Sequence, residues 1–177
     1  MQGLNTMKSF ARLVLLVTLA LMTLRSGAFA ATATTSFSVT ANVVSSCTIA
    51  AANLAFGNYD PIVTNAASPL NVASTVTVAC TKGDVVTVGL NAGLHGPQAT
   101  GTTRAMSSGG ATPAYLSYEI YQNAGLTTVW GNAGGALYTY TSLGKAPAAI
   151  PTFGQIPAGE DQPIASYTDT ITATVTF

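Results

Sequence analysis

At 177 residues, with 48 % hydrophobic and only 7 % charged side chains, the chain can bury one sizeable core but has no basic patch for a nucleic-acid partner. One histidine and two cysteines leave most acid–base and metal mechanisms without enough groups. The low charge combined with many Thr, Ser, Ala and Gly suits an extracellular surface better than a cytosolic one.

The elements follow in chain order. Lys8 and Arg12 precede an apolar run, LVLLVTLALMTL, and Ala28-Phe29-Ala30 then offers a small-x-small cleavage signal. This reads as a secretory signal peptide over residues 1–30, too short in its apolar part to span a membrane comfortably. Met7 is an alternative start. Removing the leader takes away Lys8, Arg12 and Arg25, so three basic side chains face six acidic ones, a net charge of −3.

SFSVTANV, residues 36–43, alternates Phe37, Val39, Ala41 and Val43 against Ser38, Thr40 and Asn42, the period of a strand with one buried face. Val44-Ser45-Ser46 contains no Gly, Pro or Asn to turn it back. CTIAAANLAFGNY, residues 47–59, reads as a second strand region in which Leu54 and Phe56 alternate. Residues 72–81 place Val72, Val76, Val78 and Cys80 on one face, and Lys82-Gly83-Asp84 predicts a tight hairpin into a strand over 85–90. In an exported protein the pair Cys47 and Cys80 reads as one disulfide tying two strands, worth about 3–4 kcal/mol in the loop-entropy model.

Residues 91–113 read as loop. YLSYEIYQ (115–122) alternates Leu116, Tyr118 and Ile120 with Ser117, Glu119 and Tyr121. Val129-Trp130 and residues 136–142 suggest shorter strands. Residues 150–156 contain Pro151 and predict at best an edge strand. PAGEDQP reads as a surface loop. Over 166–177 the odd positions Tyr167, Ile171, Ala173, Val175 and Phe177 are apolar, Asp169 excepted, and the even ones are Ser or Thr. The sequence stops on this strand with no turn after it.

The expectation is one all-β domain of seven or eight strands, an immunoglobulin-like β-sandwich without the inward Trp and inter-sheet cysteine pattern of antibody domains. Periodicity leaves two readings of residues 36–43: the first strand of a closed sandwich, or a strand donated to a neighbour. In the second, the sandwich lacks a strand, and the open edge beside residues 166–177 awaits one from another molecule.

Several pieces together carry a resemblance: the alternating segment running into Cys47, LAFGNY (54–59), VTVAC (76–80), YEIY (118–121), IPTFGQI (150–156) and YTDTITATVTF (167–177). The chain resembles the spore coat protein U domain family, which includes subunits of archaic, Csu-type chaperone–usher pili. The resemblance implies an incomplete immunoglobulin-like fold with the Cys47–Cys80 disulfide. It also implies a donor-strand extension over residues 31–45 (Phe37, Val39, Ala41, Val43) and a pilin domain over 46–177. Tyr167, Ile171, Ala173, Val175 and Phe177 then form the groove and chaperone-binding strand. The implied partners are a periplasmic chaperone, an outer-membrane usher and neighbouring subunits, in a cell-surface fibre serving adhesion and biofilm formation. The penultimate Tyr and the Gly fourteen residues from the end of better-known pilins are replaced here by Thr176 and Ile164, which fits the archaic class.

No G-x-S-x-G, H-E-x-x-H or phosphate-binding Gly-Lys loop occurs, so no enzyme and no cofactor are expected. His95 reads as a surface residue and Glu160-Asp161 as solvated. Two alternatives remain open: a secreted spore-coat-like protein not assembled by an usher, and a sugar-binding adhesin module built on Trp130 and the tyrosines.

Overall fold

The computed structural model describes residues 30–177, so the expected leader lies outside the described residues except for Ala30. The chain divides into two units, 1–41 and 42–177. Within the described part of the first, residues 30–41 are exposed and carry no strand.

The second unit is an all-β sandwich. Its strands are β1 (Cys47–Ala51), β2 (Leu70–Cys80), β3 (Val85–Leu90), β4 (Arg104–Ser107), β5 (Tyr115–Tyr121), β6 (Tyr138–Thr141), β7 (Ala148–Ile156) and β8 (Ala173–Thr176). A five-stranded sheet runs β1-β2-β7-β5-β4 and a three-stranded sheet runs β6-β3-β8, with every pairing antiparallel. Val76, Val78, Ile120 and Ile150 from the larger sheet meet Val88 and Leu90 from the smaller one in a single core. The alternation of β-branched residues in VASTVTVAC sets this up, because every second side chain of a strand points inward.

The turn at Lys82-Gly83-Asp84 forms, with Gly83 at φ +91° and the Asp84 N–H donating to Thr81 O (3.2 Å). It is not a hairpin, however. β2 already has β1 and β7 on its two edges, so β3 crosses to the other sheet. The disulfide joins the directly opposed Cys47 and Cys80 of adjacent strands in one sheet.

β7 is a central strand, not an edge. Pro151 is tolerated there for a geometric reason. The Ala52 N–H donates to Thr75 O (2.9 Å), so Thr75 turns its backbone polar groups toward β1. Its β7 partner, Pro151, is therefore in a non-hydrogen-bonded pair, and the missing N–H faces the β5 side. β5 pairs only with residues 153–155 and ends before it reaches Pro151.

The stretch expected to be loop, 91–113, contains β4 and the cationic half of a buried ion pair. Arg104 Nη1 donates to Glu119 Oε1 (2.5 Å), and the two residues are 1 % and 3 % exposed. Arg104 also donates to Asn91 O, Leu90 O and Trp130 O, while Glu119 accepts from the Thr103 N–H and hydroxyl. The pair thus fastens the edge of one sheet to the end of β3 in the other. Its burial is sustained because every polar atom in it is paired.

Trp130 is fully buried and donates from Nε1 to Val88 O (2.9 Å). The sandwich does therefore have an inward Trp, although its disulfide lies within one sheet.

Candidate strand-acceptor groove

β1 and β8 are the open edges that face each other. From Ala51 the chain continues through residues 52–60 with no assigned strand and no ladder partner on that side. Leu54 and Phe56 still alternate inward from exposed neighbours, and both pack against the core. They sit over Gly154 of β7, where an added Cβ would lie 2.5 Å from Leu54 Cδ2 and 2.9 Å from Phe56 Cζ. LAFGNY and IPTFGQI are thus two halves of one packing arrangement.

The opposite wall is residues 162–173. Between the walls runs a groove in two adjoining parts, of about 740 and 600 Å³, which share Leu54, Phe56, Met106 and Tyr167. Its floor reaches the core itself: Leu116 and Ile156 in one part, Val76, Leu90 and Ile120 in the other.

Backbone polarity along both walls follows from the bonds on their paired sides. The Asn91 N–H donates to Thr172 O (3.1 Å), and β3 pairs β8 from Leu90↔Ala173 to Thr87↔Thr176. Even-numbered residues of this wall therefore address β3, and the N–H and C=O groups of Ile171, Ala173 and Val175 point to the open edge. Ser46 and Ala52 address β2 in the same way, which leaves the backbone groups of Ile49 and Ala51 on the other open edge. Among the described residues no strand pairs with either edge.

Two clasps hold the walls in place. The Tyr59 hydroxyl donates to Pro157 O (2.7 Å) and accepts from the Glu160 N–H (3.0 Å), tying one wall to the loop that leads into the other. Asp169, the one acid on the inward face of its segment, accepts from the Tyr118 hydroxyl (2.7 Å) and the Leu94 N–H (2.9 Å). Burial, and next the bond to Asp169, push the Tyr118 phenol well above the usual tyrosine range. At the turn beyond Tyr59, Asp60 accepts from the Ile62 and Val63 N–H groups, which hold its carboxyl below the usual range.

Of the residues expected on the C-terminal strand, Tyr167, Ile171 and Ala173 line the groove. Val175 is half-buried against the core, and Phe177 is 59 % exposed. Phe37, Val39 and Val43 are 85, 84 and 88 % exposed, and Ala41 is exposed as well. Met106 and the roles of Asp169 and Arg104 were not legible: β4 is four residues long, and nothing in its sequence distinguishes it from loop. Trp130 cannot stack on a sugar from its buried position, and His95 packs half-buried beside Tyr115 (5.8 Å between rings). Among the described residues no group of three or more His, Cys, Asp or Glu could hold a metal ion, and no helix is long and apolar enough to cross a membrane.

A protein-family model, the Spore Coat Protein U domain, matches residues 33–174, most of the chain. The chain belongs to the Spore Coat Protein U domain family. The match takes in the exposed alternating segment as well as the sandwich. This Spore Coat Protein U domain is 35 % identical over 162 residues to Protein U of Myxococcus xanthus, covering 86 % of this chain and 89 % of that protein. It also resembles a chain in the crystal structure of the CsuC–CsuE chaperone–tip adhesion subunit pre-assembly complex from archaic chaperone–usher Csu pili of Acinetobacter baumannii. There the TM-score is 0.53 at 23 % identity, over 76 % of this chain and 40 % of that one, a likeness of fold. The Escherichia coli Hda pilus minor tip subunit, HdaB, overlaps at a TM-score of 0.39 and 14 % identity, over 72 % of this chain and 79 % of that one, too distant to argue from.

Proposed function

We infer that this protein is a structural subunit of a surface pilus, assembled by the chaperone–usher route through donor-strand exchange. The observation that carries the reading is the pairing of two unsatisfied features. One is a groove with unpaired backbone on both edges and core residues on its floor. The other is an exposed segment, 36–43, with the alternation such a groove requires. A strand laid in the groove bonds to both edges and buries every second side chain. Phe37, Val39 and Val43 each gain about 1.5–3 kcal/mol on burial. A periplasmic chaperone covers the groove first, and an outer-membrane usher exchanges it for residues 31–45 of the next subunit. The resulting head-to-tail fibre stands on the cell surface and supports adhesion and biofilm formation.

Deletion of residues 31–45 tests this. The shortened subunit is expected to be recovered bound to its chaperone and to form no fibres by electron microscopy. Fibres of normal length from the deletion mutant would remove the donor role from this segment.

The identity to Protein U over most of both chains supports a second reading, a secreted coat-type protein that needs no usher. Surface fibres that persist in a strain lacking the usher would favour it.

A further inference from the structure

A groove that accepts a strand from a neighbour can also be filled by the subunit's own segment, which would end the chain of subunits at one. The residues just before Cys47 bear on that choice. Ser46 continues the β1–β2 register one step beyond the disulfide, with the Thr81 N–H donating to Ser46 O (2.9 Å). The Thr81 hydroxyl accepts from the Ser46 N–H (3.1 Å) and donates to Val44 O (3.0 Å). The Ser45 hydroxyl donates to Asp84 Oδ2 (2.7 Å), at the corner where the chain changes sheets. Residues 44–46 are thereby held extended along the line of β1, against the side of β1 that faces β2.

The groove lies on the other side of β1. To lay Phe37, Val39, Ala41 and Val43 all in its own groove, the segment before Cys47 would have to reverse within residues 44–46 and run back antiparallel to β1. A two-residue reversal of that kind needs left-handed backbone, which Val44-Ser45-Ser46 has no Gly or Asn to supply. It would also break the bonds to Thr81 and Asp84.

We propose that Thr81, with the Ser45–Asp84 bond, is a positioning residue for assembly: it holds residues 44–46 extended, so that the segment before them is available to a second copy of this chain and not to its own groove. The proposal rests on the donor-strand reading above.

The full chain, with its disulfide intact, is unfolded and refolded by dilution over a wide concentration range. Oligomers are counted by size-exclusion chromatography with light scattering. Protease then reports whether residues 31–45 of the remaining monomer are covered. The native chain and Thr81→Ser, which keeps the hydroxyl, are expected to give concentration-dependent oligomers and a monomer cleaved before Cys47. Thr81→Val is expected to raise the ratio of protected monomer to oligomer about tenfold, the effect of losing one to two net hydrogen bonds. Ser45→Ala, an exposed site that does not threaten folding, is expected to shift it in the same direction by about two- to threefold. An unchanged ratio in both Thr81→Val and Ser45→Ala, while the native chain oligomerises and loses oligomers on deletion of 31–45, overturns the proposal and leaves the donor-strand reading standing. If the native chain and the deletion mutant are both monomeric at every concentration, the donor-strand reading fails and the proposal with it.

Discussion

Two segments of this protein carry the same pattern and meet different fates. Residues 36–43 and 167–177 both alternate apolar with hydroxyl or amide side chains. The first is exposed throughout, with Phe37 at 85 %. The second lays Tyr167, Ile171, Ala173 and Val175 half-buried against the core and pairs with β3 and, at Thr168, with Ser107. Period-2 alternation states which side chains want burial, but it says nothing about which backbone lies alongside. The second segment is fixed by contacts from elsewhere, namely Asn91 to Thr172, Arg104 to Asn91, and Tyr118 to Asp169. Residues 36–43 are exposed and carry no strand, and that difference can be tested.

The largest effect is expected at Arg104. Arg104→Met leaves Glu119 buried and unpaired and removes the support of Asn91, which holds Thr172. It should cost about 3–5 kcal/mol in urea unfolding. Next comes the disulfide: reducing Cys47–Cys80, which closes a separation of 33 residues, should cost about 3–4 kcal/mol, read as the midpoint shift with and without reductant. Gly154→Ala pushes Leu54 and Phe56 off their seats and is expected to cost about 1–3 kcal/mol. Gly144→Ala, at a site where an added Cβ meets nothing, should cost far less.

The clasp at Asp169 predicts a pH dependence. The folded state raises the Tyr118 pKa above the free value of 10.0, so it favours the protonated phenol. That contribution is fully present below about pH 10 and is lost as pH rises above it, by up to about 1.4 kcal/mol per pH unit for one proton. Tyr118→Phe should flatten this alkaline decline while costing about 1–2 kcal/mol at neutral pH, through the lost bond to Asp169. Smallest of all is Val39→Ser, expected to change the stability of the sandwich by no more than about 0.5 kcal/mol while, on the proposed donor-strand reading, reducing assembly. A Val39→Ser cost comparable to that of Val175→Ser would erase the contrast between the two segments.

The places where the sequence misled share a cause. Pro151 suggested an edge, yet β7 is central, because β5 stops before it reaches that proline. Lys82-Gly83-Asp84 suggested a hairpin, but both edges of β2 were already taken. Arg104 fell in the stretch read as loop, while its partner Glu119 lies fifteen positions away on the neighbouring strand. Each outcome depends on the neighbours a strand acquires, and local pattern does not encode them. The motifs that carried the family resemblance fared better, since LAFGNY meets IPTFGQI at Gly154 and YEIY meets YTDT at Asp169.

The amino-acid sequence by itself determined the all-β class, the inward faces of β2, β5 and the last strand, the paired cysteines and the family. It could do so because side-chain period and residue type are local properties. Only the tertiary structure decided that the unpaired edge of β1 faces that of β8, that core residues floor the space between them, and that residues 44–46 are pinned to Thr81 and Asp84. Backbone N–H and C=O groups are the same at nearly every residue, so the edge left unpaired is known only once every other strand has found its place.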